Sequence, residues 1–300
     1  MRTIASGYHF LEGPRWRDGK LYVSDIEGQK VLEFQMDGAV RTLCHVPEKP
    51  SGLGFTPDGE LLIVSMNGRT LLKMGLDGRT TEVADLSTAT PHACNDMVVD
   101  ALGRAYIGNL GWDVTVDDHV RPTNLLFVDV EGRVSVAAEE LVFPNGSVIT
   151  PDGRMLIIAE TFASRLTAYD IAPDGGLSNR RVWAQLSDEI GTTVHDIIAH
   201  RIPSPDGIAL DAEGAVWIAD AAGSGALRIA PGGEILDRVS TGDRSVFAVA
   251  LGGEKGRTLF MCAGPRLLST DTRTDPRSEL LACEVNVAAA TAAAPGAIAV

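Results

Sequence analysis

One unit recurs six times along the chain: an apolar strand, a tight turn built on Asp-Gly or Glu-Gly, and a second apolar strand. The copies read RWRDGKLYVSDI, LGFTPDGELLIVSM, MVVDALGRAYIGN, SVITPDGRMLIIAE, IALDAEGAVWIAD and VALGGEKGRTLFMCA. Their turn glycines are Gly19, Gly59, Gly103, Gly153, Gly214 and Gly256, spaced 40 to 61 residues apart, so the repeat is structural rather than a strict sequence period. Each copy is followed by another apolar run, a second turn and a further strand, as in KVLEFQMDGAVRTLC and NLLFVDVEGRVSVAA. Glycine supplies positive φ in such turns and Asp caps them, which is hairpin chemistry. Six units of four strands predict an all-β, six-bladed β-propeller of four-stranded antiparallel blades around a central channel. The propeller is expected to span residues 1–285. The Ala-rich stretch 286–300 is expected to be an extended or disordered tail whose first strand is available to close the ring.

The bulk numbers narrow the partners. A formal charge of −14 argues against nucleic acid or an anionic membrane surface, both of which require cationic neutralisation, and with 5% aromatic residues few platforms exist for stacking bases. Cys44, Cys94, Cys262 and Cys283 form no CxxC pair, so a thiolate zinc site is not indicated. No leader-like apolar core precedes the first acidic residue and no stretch reaches membrane-span length, which reads as a cytoplasmic chain. GxSxG, GxxxxGK[ST], HExxH and GxGxxG signatures are all missing from the sequence.

In a propeller the first strand of each blade lines the channel, so residues just before those strands meet at one mouth. Seven or eight residues before each turn glycine stand Glu12, Ser51, Asn95, Asn145 and Asp206, with Phe247 or Ala248 in the sixth unit. Asn and Asp before glycine are ordinary turn formers taken singly, but Glu12 has no turn preference and falls in the same register. Two carboxylates and an amide oxygen converging in a channel call for a cation. Glu12, Asn145 and Asp206 form an all-oxygen set suited to one divalent ion, Ca²⁺ first, with Mg²⁺, Mn²⁺ or Zn²⁺ as alternatives.

The stretches EGPRW (12–16), CNDMVVDALGR (94–104), PNGSVITPDGR (144–154) and PDGIALDAEGAVW (205–217) resemble, in order, the senescence marker protein, gluconolactonase and luciferin-regenerating enzyme family of six-bladed propellers. The resemblance implies that Glu12, Asn145 and Asp206 are metal ligands, the same three residues that share the register. It also implies that Asn95 contacts substrate or sits beside the metal, and that the chain hydrolyses a lactone, the cation polarising the carbonyl and activating water with catalytic assistance from Asp206. A phosphotriesterase-like hydrolase on the same ion, or a binding propeller with a structural ion, are the competing readings. Family members acting on sugar lactones often carry arginine where this chain has Ala93, which shifts the expected substrate toward a less polar lactone or another ester.

Three further features are weighed beside that set. His92 is a candidate substrate-binding donor in place of the missing arginine, against the plainer reading of a surface loop histidine. Trp112, in the excursion 108–124, is a candidate apolar wall for substrate, against a solvated acidic loop. The insert 187–201 carries His195, Asp196 and His200 without metal-ligand spacing and stays unassigned, while Glu160 is either an outer substrate contact or a solvated strand end.

Overall fold

The computed structural model describes residues 1–114, 116–189, 191–266 and 275–291. Among these residues, twenty-four strands form six four-stranded antiparallel sheets arranged as a six-bladed propeller. Blade one comprises β2 (Leu11–Arg17), β3 (Lys20–Asp25), β4 (Lys30–Gln35) and β5 (Val40–His45), the chain's first strand lying elsewhere. Blade two comprises β6 (Pro50–Phe55), β7 (Leu61–Ser65), β8 (Thr70–Met74) and β9 (Thr80–Asp85). Blade three is β10 (Cys94–Val99), β11 (Ala105–Asn109), β12 (Thr123–Val128) and β13 (Val134–Leu141); blade four is β14 (Pro144–Ile149), β15 (Met155–Glu160), β16 (Arg165–Ile171) and β17 (Leu177–Gln185). Blade five follows as β18 (Pro205–Leu210), β19 (Val216–Asp220), β20 (Gly225–Ile229) and β21 (Ile235–Ser240).

Blade six differs from the sequence expectation. Its inner strands are β22 (Ser245–Gly252), β23 (Thr258–Gly264) and β24 (Ser278–Glu284), but its outer strand is β1 (Arg2–Tyr8) from the other end of the chain, paired antiparallel with β24. The ring is therefore closed by hydrogen bonds between the two ends of the propeller, and the described residues of the tail contribute no blade strand. The run RLLST, expected as a strand of the sixth unit, falls largely outside the described residues. Of the tail, Ala288–Ala290 hydrogen-bond to Leu210, Ala212 and Gly256, tying blade six to blade five, and residues 292–300 lie outside the described set. The one α-helix among the described residues is α1 (Val194–Ala199), capped by the Thr193 hydroxyl, and no helix is long and apolar enough to cross a membrane.

The core is divided among the blades. Six apolar clusters each fill the wedge between two neighbouring sheets: Val31, Leu53 and Ile63 between blades one and two, for example, and Tyr106, Leu125 and Ile158 between blades three and four. Trp217, fully buried, packs blade five against Val246 and Leu281 of blade six. Burying a side chain of this kind contributes about 1.5–3 kcal/mol, so each blade is held by its neighbours more than by itself.

The inner strands β2, β6, β10, β14, β18 and β22 pack against one another around the channel. Every one of them breaks its pairing with the second strand near its start, between Glu12 and Arg15, Pro50 and Leu53, Cys94 and Met97, Pro144 and Ser147, Pro205 and Ile208, and Val246 and Ala248. A β-bulge re-aims a side chain and bends the strand. Immediately after the channel residue comes glycine in four blades, and the neighbour is too close for anything else: a Cβ on Gly146 would lie 2.5 Å from the Asp206 carbonyl oxygen, and one on Gly207 would lie 2.5 Å from the Ala248 Cβ. We expect Gly146→Val to lower the unfolding free energy by at least about 2 kcal/mol, because backbone stands in its way. Urea unfolding measures it, and a variant as stable as the parent would contradict this close approach.

Candidate active site

The bulges turn one residue per blade into the mouth of the channel, and five of the six are polar and buried: Glu12 (8% exposed), Ser51, Asn95, Asn145 and Asp206 (7%). The sixth is Phe247, which meets Phe10 edge to face. The register read from the turn glycines is thus the register of the folded ring.

Hydrogen bonds fix the amides. The Ser51 hydroxyl donates to Asn95 Oδ1 (3.2 Å), which leaves the Asn95 NH₂ as the donor edge. Asn145 Nδ2 donates to Thr161 Oγ1 (3.2 Å), and Thr161 donates to the Pro205 carbonyl (2.9 Å), so blade four is keyed to blade five directly beneath Asp206. Glu12 Oε2 accepts the Gly13 N–H (2.8 Å). Asp206 Oδ1 is buried and has no hydrogen-bond partner. A carboxylate oxygen in that condition is costly unless a cation or a proton meets it.

The electrostatics agree. Burial first, then the charge of Asp96, pushes the Glu12 carboxyl up from the usual 4.5 to about 8, with the Gly13 N–H and Arg15 acting against the rise. Burial, then Glu12 and Asp96, also holds Asp206 well above the ordinary carboxylate range, opposed by the Asn145 side chain and the Gly207 N–H. Glu12 and Asp206 therefore feel each other electrostatically. Among the described residues no three His, Cys, Asp or Glu side chains are grouped to hold a metal. The channel set is two carboxylates and amides, and the third carboxylate, Asp96, faces Arg15 at 2.7 Å.

Asp96 and Arg15 were not singled out from sequence, although both lie inside the quoted motifs. Asp96 occupies the position that is glycine in four other blades, so its departure from that rank was the available signal.

The two excursions meet on the same face. His119 bridges to Thr193, Val120 N–H donates to the Thr192 carbonyl (3.1 Å) and Val194 N–H to the Asp118 carbonyl (2.9 Å), so the described residues of the two excursions are joined into a single cap beside blades three and four. Trp112, 5% exposed, lies inside this cap with Phe162, Val194 and Ile197. Its ring centroid is 5.8 Å from that of Phe143, whose φ of +52° is a left-handed conformation rare for a bulky side chain. Phe143 immediately precedes the Pro144–Asn145 pair, so the cap's aromatic cluster abuts a channel strand. His92 is half-buried in the loop leading to β10, its N–H on Thr90 Oγ1 (3.2 Å).

Glu160 is neither solvated nor turned to a substrate. It is fully buried, takes two hydrogen bonds from Arg165 (both 2.8 Å), one from Thr167 (2.5 Å) and one from the Val142 N–H (2.8 Å). Asp25 and Asp220, at the ends of the equivalent second strands, hold the chain entering their own blades in the same way, through the Phe10 N–H (2.9 Å) and the Ser204 N–H (3.1 Å). These three acids are fasteners at the mouth.

Residues 10–264 match the SMP-30/Gluconolactonase/LRE-like family. A 6-deoxy-6-sulfogluconolactonase of Pseudomonas putida is 30% identical over 272 residues, covering 88% of this chain and 86% of the relative. The chain belongs to this family. An L-arabinolactonase of Azospirillum brasilense is 26% identical, covering 88% and 84% of the two chains. In fold, the SMP-30/Gluconolactonase/LRE-like chain superimposes on a calcium-binding protein, regucalcin, from Agrobacterium tumefaciens with a TM-score of 0.76 at 19% identity, covering 97% of this chain and 94% of that one.

The raised carboxyls fix a sign for stability. The unfolded chain releases the Glu12 proton near 4.5, whereas the folded chain keeps it to about 8. The stabilisation is complete below the lower value and is lost as pH rises through the upper one. In chelator, the unfolding free energy should therefore fall across that window, and Glu12→Gln should reduce the slope. Urea titrations at a series of pH values check it; equal slopes in both proteins would remove Glu12 as the source.

Proposed function

We propose that this protein is a metal-dependent hydrolase that opens the ring of a small-molecule lactone. The observation that carries the reading is the buried Asp206 Oδ1 without a partner beside Glu12 and Asn145, in a chain whose relatives bear lactonase names. Glu12, Asn145 and Asp206 would hold the ion, and their all-oxygen donor set fits Ca²⁺ or another hard divalent cation. When bound, such a cation supplies Lewis acidity toward an ester carbonyl and acidifies water.

The chain's own groups do the rest. Asp206, anchored beside the glycine rank, orients the attacking water, accepts its proton as the water oxygen bonds to the carbonyl carbon, and returns that proton to the ring oxygen as the C–O bond breaks. Asn95, its oxygen occupied by Ser51, presents NH₂ hydrogens to a substrate oxygen. The cap carrying Trp112, packed on Phe143 ahead of β14, shields one side of the mouth, and His92 stands next to Ala93 as a donor to the lactone. With no arginine fork at Ala93, a lactone with few hydroxyls is favoured over a densely hydroxylated one.

A pH-indicator screen over lactones of graded polarity, coupled to metal analysis, tests the proposal. Glu12→Ala and Asp206→Ala are expected to lose at least about 100-fold in kcat/KM, with metal content reduced. Full metal and full activity in both variants would overturn the site. Hydrolysis of a phosphotriester with no lactone turnover would overturn the reaction class. Asp206→Asn that kept its metal and its kcat would remove the proton-accepting role alone.

A further inference from the structure

The ion pair between blade one and blade three is placed oddly for a structural bridge. Arg15, on β2, reaches past the whole of β6 to β10, where Nη2 donates to Asp96 Oδ1 (2.7 Å) and to the Met97 carbonyl (2.6 Å) while Nη1 donates to the Pro14 carbonyl (2.9 Å). Asp96 Oδ1 also accepts the Met97 N–H (2.8 Å), and the side chain is only 6% exposed. Gly52 on the intervening strand makes the approach feasible, since a Cβ there would fall 2.8 Å from the Asp96 Cα. The charge of Asp96 reaches both Glu12 and Asp206. Three carboxylates and one guanidinium thus act on one another electrostatically.

We infer that Arg15 is the built-in counter-charge of the channel ion site: by holding Asp96 away from Glu12 and Asp206, it sets the net charge a divalent cation meets and hence how tightly the cation binds. The inference rests on the ion site proposed above. With Arg15 in place the four side chains carry a net charge of about −2 when ionised, which one divalent ion balances; without it the same groups carry about −3. A unit charge acting through a partly polar protein interior changes an ion's binding constant by about tenfold or more. Arg15 is a positioning residue on this account, because it acts on the ion through Asp96 and through space without touching it.

Calorimetric titration of Ca²⁺ into the chelator-stripped full chain tests this. Arg15→Met is expected to bind Ca²⁺ at least about tenfold more tightly, Asp96→Asn at least about tenfold more weakly because the guanidinium is left unbalanced, and the double variant within about threefold of the parent. Arg15→Lys, which keeps the charge and loses the fork, should also stay within about threefold. A merely structural bridge predicts something else: weaker binding in both single variants and no restoration in the double, and that result would overturn the inference. Should Arg15→Met fail to fold, Asp96→Asn against Arg15→Lys carries the test, and equal Ca²⁺ affinity in those two would overturn it. Parent protein that binds no Ca²⁺, or binds it as well with Glu12→Ala, would instead overturn the ion site itself.

Discussion

Six strands converge on one axis, and the room between them is the constraint from which the rest follows. Where β14 meets β18, and where β18 meets β22, there is no space for a side chain, so Gly146 and Gly207 stand there, and the bulge that accommodates them turns the residue before each into the channel. Packing and function are therefore one device: the glycine that lets neighbouring blades touch is the reason Asn145 and Asp206 point where they do. Blade three breaks the rank with Asp96, and the guanidinium of Arg15 answers that extra charge.

Burial gives those carboxylates their character. On the surface of a chain with a formal charge of −14, two more acids would be unremarkable. In the channel, removed from water and within reach of each other, Glu12 and Asp206 resist ionisation until something positive arrives. At the ion site proposed above, stability given up by the metal-free chain would return as affinity for a cation. Of the other buried acids at the same face, Glu160 and Asp220 are met by backbone N–H groups or arginine, while Asp25 accepts backbone N–H groups on Oδ1 and faces Lys30 at 3.8 Å with Oδ2, which has no hydrogen-bond partner.

Much of this was legible. Hairpin turns announce themselves through Asp-Gly chemistry, which is local, so the blade count and the positions of Glu12, Ser51, Asn95, Asn145 and Asp206 could be read by counting back from turn glycines. Ring closure could not. That β1, and not the tail, completes blade six depends on which strand has an open edge once the ring is bent round, and no local signal in RTIASGY marks it. Glu160 looks like any strand-end glutamate until Arg165, Thr167 and Val142 surround it. The cap is the same kind of case, since the excursions 108–124 and 187–201 are separated by all of blade four and each alone reads as a loop.

The sequence by itself determined the repeat, the turns, the family and the common register of Glu12, Asn145 and Asp206, because each rests on spacing and on residue types whose preference is intrinsic to the backbone. Tertiary structure decided what those residues experience. Whether a carboxylate is dry, which charges face it, whether its amide neighbour is held by Ser51 or Thr161, and whether Arg15 can reach Asp96 across an intervening strand all depend on distances between residues far apart in the chain. Coulomb interaction and desolvation act through space, and only the closed ring sets that space.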